Sequence, residues 1–381
     1  MNKLKNVLFV LAILILVGFI SFAAFKIIKS KDDNPIVPDD NDEPSKFSTV
    51  TQTGKIEIVP TMLDDIFEDS AWCATFQLVW NDMKNEVVKQ DVIFNPQEIM
   101  AENLNKEEFT EDMLSDEYYY KIYGIKTKAL RDEIEKGIME KFGQTSDILD
   151  DFDWSESAVG DPNDTDINRY FFYTMLYREF DFKSIFDKLE KGNFGKEYEN
   201  IEYFGINKNS KEEIGKQLKV LYYNSQDDFA ILVQTQTNDE VIFCKNPKGN
   251  NFNEIYDNMI KESSNFTGKV KFQENDEFKA PNIKFNVKKE YKEIEGKMFN
   301  TLTGHGIIDK AIQTVEFELN EKGGKIKSEA AIDMKNASIS MQEETEPRYF
   351  YVDDTFALFL REEGRDKPYF AARISDITKY Q

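Results

Sequence analysis

The sequence predicts an α+β fold, with helices concentrated in its first half and strands in its second half. The helices are indicated by apolar side chains at helical spacing, of which Leu130, Ile134 and Ile138 belong to the clearest stripe. The strands are indicated by short β-branched and aromatic runs that begin near residue 218. A dense aromatic run at 168–177 is the third observation, since such a run is typical of a central strand covered on both faces.

The length and the charge of the chain limit its class and its partners. With 381 residues, the chain is long enough for one large domain or two modest ones with a sizeable core. Its 71 acidic and 48 basic side chains give a formal net charge of −23. A nucleic-acid partner needs its phosphates neutralised by lysine and arginine, so no nucleic acid is expected as a partner. The same charge opposes docking of the globular part on an anionic lipid surface.

The cysteine and histidine side chains are too few for several kinds of site. Cys73 and Cys244 are far apart and lie in apolar patterns, so we expect both to be buried as small hydrophobic side chains. His305 is the only histidine, and the glycines beside it predict a loop. A structural zinc site and a histidine-based triad are therefore not expected. We expect no metal, no cofactor, no catalytic residue and no enzymatic activity.

An apolar segment follows Lys3 and Lys5 at the start of the chain. Residues 6–25 carry no charge and match the roughly 20 residues that a bilayer core requires. Residues 1–29 fit either an uncleaved membrane anchor or a signal peptide cleaved near the small residues at 21–23. We prefer the anchor, which makes the lipid bilayer the partner of residues 6–25 and places the C-terminal domain outside the cell membrane. A cleaved signal would secrete the domain instead.

The segment that follows is a linker. Residues 30–52 are rich in Asp, Asn and Pro and contain too few apolar side chains to bury a core, so we predict a disordered spacer. The folded domain is predicted to span residues 53–381 and to be a monomer.

The first half of the domain is interpreted from its periodicity and its turn residues. An amphipathic helix is predicted from Ser70 to Asn85, followed by a short strand at Val92–Phe94. The stretch from Lys106 to Phe142 is mostly helical in pattern and ends at Gly143. The acidic, turn-rich stretch at 147–166 is expected to be a surface loop.

The second half consists mainly of strands. Three strands are predicted at 218–223, 229–233 and 240–243, followed by a helix at Phe252–Lys261. The last two apolar runs are joined by a turn that contains a glycine, and together they predict a hairpin of strands at 356–360 and 368–374.

This C-terminal block carries the most specific resemblance to a known family. Residues Phe350–Leu360 and Lys367–Ile374 resemble the closing pair of buried strands in the serpins. Residues Thr314–Gly323 are similar to the strand and hinge that lead into the serpin reactive centre loop. Thr355 and Ala372 stand at or near positions where the family usually has proline and glycine, so the match is one of pattern more than of identity.

Three other segments resemble serpins in the same order along the chain. Leu221–Val233 is similar to a strand-turn-strand unit of the family, and Pro281–Phe285 to the strand that follows it. Ala71–Glu98 resembles the first helix, short strand and second helix. The resemblance covers most of Ser70 to Lys379, with a shorter and more divergent middle between residues 105 and 168.

The resemblance implies a fold and a mechanism. The implied serpin-like fold has several helices packed on a large mixed main sheet, with additional smaller sheets and a C-terminal buried strand hairpin. The implied mechanism needs no catalytic group: a protease, the expected partner, cleaves an exposed loop, which inserts into the main sheet as a new strand and traps the protease.

The resemblance also assigns the residues of the loop. Counting from Gly323 places the scissile bond at Ala337–Ser338, whereas aligning the alanine pair moves it to Met341–Gln342. Either bond suits a protease that prefers small or medium apolar residues. The residues assigned to the hinge are Glu321, Lys322, Gly323, Gly324, Ser328, Ala330 and Ala331.

The loop alternates as a half-buried strand requires. One face consists mainly of small or apolar residues and the other mainly of charged residues, as in the strand that precedes the loop. A permanent hairpin that turns at Gly323–Gly324 would alternate in the same way, so the pattern fits a mobile and a permanent strand equally. Lys325 and Lys327 replace the small residues usual after the family's hinge glycine, and we expect their bulk and charge to slow insertion. The inward set is Gly324, Ile326, Ser328, Ala330, Ile332 and Met334.

Two functions remain open at this point. The first is a membrane-tethered suicide-substrate inhibitor of a serine or cysteine protease, acting through insertion of the reactive centre loop. The second is a non-inhibitory serpin-fold protein that serves as a binding or interaction module at the cell surface. A complex with a protease that resists denaturant is expected only from the first.

Overall fold

A computed structural model of the chain describes residues 56–155, 167–302, 304–326 and 346–381. The predicted anchor at 1–29 and the linker at 30–52 lie outside these residues and stay predictions. No helix within the described ranges is both long enough and apolar enough to cross a membrane.

Strands contain more of the described residues than helices do, and both kinds of element are present, so the α+β class is confirmed. The strands are β1 Glu57–Ile58, β2 Ser70–Cys73, β3 Tyr119–Ile125, β4 Ile167–Leu176, β5 Arg178–Asp181, β6 Asp187–Lys188, β7 Gly192–Phe194, β8 Tyr198–Ile201, β9 Tyr203–Ile206, β10 Leu218–Ser225, β11 Asp228–Gln234, β12 Asp239–Lys245, β13 Glu277–Pro281, β14 Ile283–Glu290, β15 Met298–Asn300, β16 His305–Ile307, β17 Ile312–Leu319, β18 Gly323–Ile326, β19 Tyr349–Tyr351, β20 Phe356–Glu362 and β21 Phe370–Ile374. The α-helices are α1 Thr75–Asp82, α2 Ile99–Leu104, α3 Lys128–Phe142, α4 Glu212–Gly215 and α5 Phe252–Asn265.

The largest sheet is mixed and forms the centre of the core. Its seven strands lie in the order β1-β2-β21-β20-β12-β11-β10, with β1 and β2 parallel and all other neighbours antiparallel. The predicted C-terminal hairpin is confirmed as β20 and β21, and residues 356–360 of β20 are completely buried. An uninterrupted apolar run of this kind is stable only in a strand covered on both faces.

Four smaller sheets surround the large one. Two of them share the site described below, with the orders β14-β17-β18-β5 and β15-β16-β4-β3. The other two contain the orders β19-β13-β9-β6 and β7-β8.

The predicted central strand at 168–177 is confirmed as β4, which is covered on both faces. On one face Phe171, Tyr173 and Met175 pack with the apolar stripe of α3. On the other face Tyr170 and Phe172 pack with the apolar side of α1. This double cover explains why the run lacks the polar alternation of a strand that faces water on one side.

Four predicted elements differ from the structure. Ser70–Cys73 is strand β2 because it pairs with β21, so the helix predicted from Ser70 begins only at Thr75. The stretch predicted as mostly helical contains β3, which pairs along its whole length with β4. Val92–Phe94 has no strand partner among the described residues. His305 begins β16 rather than lying in a loop.

The predictions for the two cysteines are confirmed. Cys73 and Cys244 are both buried and neither forms a disulfide. Burial raises the pKa of each thiol, which keeps both in the unreactive protonated form at neutral pH.

Candidate functional site

An opening between β4 and β17 divides what would otherwise be a continuous sheet; we call it the gap. Strand β4 is hydrogen-bonded to β3 and β17 to β14, each on the side away from the gap. The two strands run in the same direction, since β18 is antiparallel both to β17 and to β5, which continues β4. No ladder joins β4 to β17 among the described residues, so two strand edges face each other unpaired.

Both ends of the gap are closed by short strands. At one end β18 lies between β17 and β5, with Leu319 opposite Gly324 and Ile326 opposite Arg178. At the other end β16 pairs with the first three residues of β4, from Ile167 to Arg169. On the gap side, residues 170–176 have no ladder partner among the described residues, which corresponds to about 23 Å of strand.

The gap encloses a cavity of about 590 Å³. Its core side is lined by apolar side chains of α1, including Phe76, Val79 and Trp80. A polar contact crosses its floor, where the Gln313 side-chain amide donates to the Thr75 hydroxyl at 2.8 Å and to the Cys73 carbonyl at 3.1 Å. The cavity is therefore largely apolar and bordered by strand edges that have no ladder partner among the described residues, which are properties of a site for one more strand.

The two hinge glycines fit closely against Phe180 of β5. A Cβ atom on Gly323 would overlap the Phe180 carbonyl oxygen, and a Cβ atom on Gly324 would overlap its ring. Two predicted hinge residues precede them: Glu321 forms an ion pair with Lys188 at 3.2 Å, and the Lys322 carbonyl accepts from the Phe182 amide at 2.8 Å. The chain therefore turns at 320–322, and the glycines lie within β18 rather than at a hairpin turn.

A buried ion pair lies beneath this end of the gap. Arg178 donates to the carboxylate of Asp239 at 2.7 and 2.5 Å, and the Asp239 side chain is completely buried. The hydroxyls of Tyr369 and Thr237 donate to the same carboxylate at 2.8 and 2.7 Å. Burial alone would lower the pKa of Arg178, but the hydrogen bonds and charge of Asp239 raise it, so the guanidinium stays charged. The ring of Tyr118 stacks 3.8 Å from the same guanidinium.

The remaining predicted site residues lie outside the described residues. They are the hinge residues Ser328, Ala330 and Ala331 and the two candidate scissile bonds, Ala337–Ser338 and Met341–Gln342. Their assignment stays a prediction.

The sequence did not indicate the parts of the site that come from β5 and β12. Phe180 and Phe182 alternate with charged residues directly after the aromatic run, which is the pattern of a continuing strand. The pairing of Arg178 with Asp239 had no local signal, because the two residues belong to different sheets.

No family model and no curated protein matches the sequence of the chain. Solved structures match it, among them Serpin48 from the insect Tenebrio molitor at 15% identity, with 70% of this chain and 78% of that chain covered and a TM-score of 0.36. Tengpin, a thermophilic serpin in its native state, matches at 11% identity over 83% of this chain and 90% of that chain, with a TM-score of 0.43.

A third similar structure is human thyroxine-binding globulin in complex with thyroxine. It is 10% identical to this chain, covers 70% of it and 77% of its own length, and has a TM-score of 0.37. Serpin structures are thus among the solved structures to which the chain is similar, and the serpins are the family that its sequence resembles.

Proposed function

We propose that this chain is a protease inhibitor whose loop, once cleaved, fills the gap between β4 and β17 as a new strand. The observation that carries the proposal is β18, since the described part of this strand lies between β17 and β5 at one end of the gap and is directed toward the two facing strand edges. A strand that continues β18 would give partners to both edges at once. The free energy gained by completing the sheet is the source of work in such a mechanism.

The register of β18 defines how the loop would fit. Ile326 lies opposite Arg178, so each further residue of an antiparallel strand advances one position toward the start of β4. Residues 327–334 would then lie opposite residues 177–170. Past this point β4 is already paired with β16, so the inserted strand ends at residue 334.

The same register assigns the two faces of the inserted strand. Gly324 lies opposite Leu319, which is fully buried, so even-numbered loop residues face the core. Ser328 would lie between the buried residues Val315 and Leu176. The face that the alternation of the loop sequence predicts to be inward is therefore the face that β18 already directs to the core.

The two lysines of the outer face favour insertion rather than oppose it. Lys325 lies opposite Glu318 on one side and Glu179 on the other. Lys327 would lie opposite Glu316 of β17 in the next outer row. Directly opposed unlike charges stabilise a strand pair, so these lysines are complementary to the edge that they would join.

The length of the inserted strand favours one of the two candidate scissile bonds. Cleavage after Ala337 leaves three residues between the end of the strand at 334 and an attached protease, a span of about 10 Å. Cleavage after Met341 leaves seven residues, which would hold the protease more loosely. We therefore propose Ala337–Ser338 as the scissile bond, with a target protease that prefers small residues.

The test uses the full-length chain in mild detergent, mixed with an elastase-like serine protease and a papain-like cysteine protease. We expect a band on a denaturing gel whose mass is that of the protease plus residues 1–337 of the inhibitor, and a released fragment that begins at Ser338. Mass spectrometry of that fragment identifies the bond. Cleavage without a stable complex would contradict inhibition and would favour the alternative, a non-inhibitory serpin-fold binding protein.

We further propose that residues 6–25 anchor the domain on the outer side of a cell membrane. The proposal is supported by the uncharged apolar run and the acidic linker after it. Alkaline extraction of membranes from cells that produce the chain tests it, because an anchored chain stays in the pellet and a secreted one appears in the medium.

A further inference from the structure

A short segment crosses the outer side of the gap; we call residues 147–154 the strap. It begins with a 3-10 helix at Asp147–Asp151 that directly follows the region of α3. The rings of Phe152 and Trp154 pack edge-on against Phe171 of β4, with centroids 4.7 and 4.9 Å away. One side of the strap is therefore fixed to β4.

The other side of the strap reaches past the gap. The Asp151 carboxylate forms an ion pair with the Lys288 ammonium group at 2.6 Å. Lys288 belongs to β14, which lies on the far side of β17 from the gap. Asp151 and Phe152 are neighbours in sequence, so the strap bridges β4 and β14 across both the gap and β17. Ser146, Asp147, Ile148, Asp151 and Phe152 all line the cavity.

A strand that enters the gap needs the volume beneath the strap. The outer-face side chains of the inserted strand would lie beside Phe171, Tyr173 and Met175 of β4. These three side chains already pack under the strap and α3. The strap also stays attached to α3 through the ion pair between Arg131 and Asp150 at 2.8 Å. Among the contacts of the described residues, the ion pair Asp151–Lys288 holds the strap across the gap at β14.

We propose that the strap is a clasp over the gap, and that the Asp151–Lys288 ion pair sets how fast the clasp lifts to admit a strand. This inference rests on the proposed function, in that the strand to be admitted is the cleaved loop. Both side chains are about one-third exposed, at 33% and 35%, so the pair is partly screened by solvent. Exposed pairs of this kind are weak, and their loss corresponds to an acceleration of about two- to fivefold.

The first readout requires no insertion and uses the intact full-length chain in mild detergent. Cys73 lines the cavity, whereas Cys244 lies in the seven-stranded sheet and is not among the residues that line it. A small methanethiosulfonate reagent at alkaline pH should modify Cys73 about two- to fivefold faster in Asp151→Asn and Lys288→Gln than in the wild type. The rate at Cys244 should not change.

A matched control separates the clasp from a general loss of charge. Lys284 and Glu318 form a Lys–carboxylate pair at 2.9 Å on the same sheet face, but this pair joins β14 only to β17 and does not cross the gap. Lys284→Gln should leave the rate at Cys73 unchanged. Added salt should accelerate modification of Cys73 in the wild type and have little effect in Asp151→Asn.

The second readout is the rate at which the cut protein converts to its inserted form. Asp151→Asn should speed conversion by the same factor without changing its final extent. Equal Cys73 rates in the wild type, Asp151→Asn and Lys284→Gln would overturn the clasp. Absence of conversion in every variant, combined with faster Cys73 modification in Asp151→Asn, would support the clasp and refute the proposed function.

Discussion

Exchanging Lys327 and Ser328 is expected to abolish strand insertion after the loop is cut. The exchange keeps composition and net charge but turns the lysine to the core face, between the buried residues Val315 and Leu176. A lysine buried there has no carboxylate partner in the register of β18, and an unpaired buried charge costs several kcal/mol. The single change Lys327→Ser alters only the outer face and should leave insertion intact.

Thermal melting before and after cleavage measures this difference. Insertion buries Ile332 and Met334 and pairs both edges, for a gain on the order of 5 kcal/mol and a rise in Tm of about 10 °C. The wild type and Lys327→Ser should show this rise, and the exchanged variant should melt at the same temperature before and after the cut. A full rise in the exchanged variant would show that the register of β18 does not continue into the loop.

Asp239→Ala is expected to destabilise the intact fold by about 3–5 kcal/mol, the largest effect that we predict for a single substitution. The change leaves the guanidinium of Arg178, which is only 15% exposed, without a counter-charge. It also removes the acceptor of the Tyr369 and Thr237 hydroxyls. Because Arg178 lies opposite Ile326, the loss should loosen the end of the gap where β18 enters.

Urea unfolding of the full-length chain measures the free energy of unfolding of each variant. Glu318→Ala is the control, since it breaks an ion pair with the exposed Lys284 and should cost less than about 1 kcal/mol. The double variant Arg178→Met/Asp239→Leu should be less destabilised than Asp239→Ala, because it leaves no unpaired charge. Equal losses for Asp239→Ala and Glu318→Ala would contradict a structural role for the buried pair.

The parts of the fold that the sequence predicted have strong local patterns. The run Phe356–Leu360 is apolar at every position, and β4 is aromatic over most of its length, so both could be assigned as buried strands. Strand β2 could not, because it has only four residues and runs almost directly into α1, with Trp72 and Phe76 at a helical interval. Its pairing with β21 overrides that local pattern.

The candidate site itself could be predicted only in part. The alternation of residues 324–335 predicted the faces of a strand, but not whether the sheet had room for it. The gap is an arrangement of two strands that are far apart in the chain, and no local pattern encodes such a vacancy. Lys325 illustrates the same limit. Its size and charge can be taken from the sequence, and they predicted slow insertion. Its position opposite Glu318 and Glu179 follows only from the strand register.

Hydrogen–deuterium exchange at the edges of the gap tests most directly whether the cleaved loop becomes a strand there. Peptides that cover residues 170–177 and 312–317 should contain rapidly exchanging amides in the intact chain and become protected after the loop is cut. A peptide that covers β20 should exchange equally slowly in both forms and serves as the reference. Unchanged exchange at both edges after a verified cut would contradict the account, because the gap would then receive no strand.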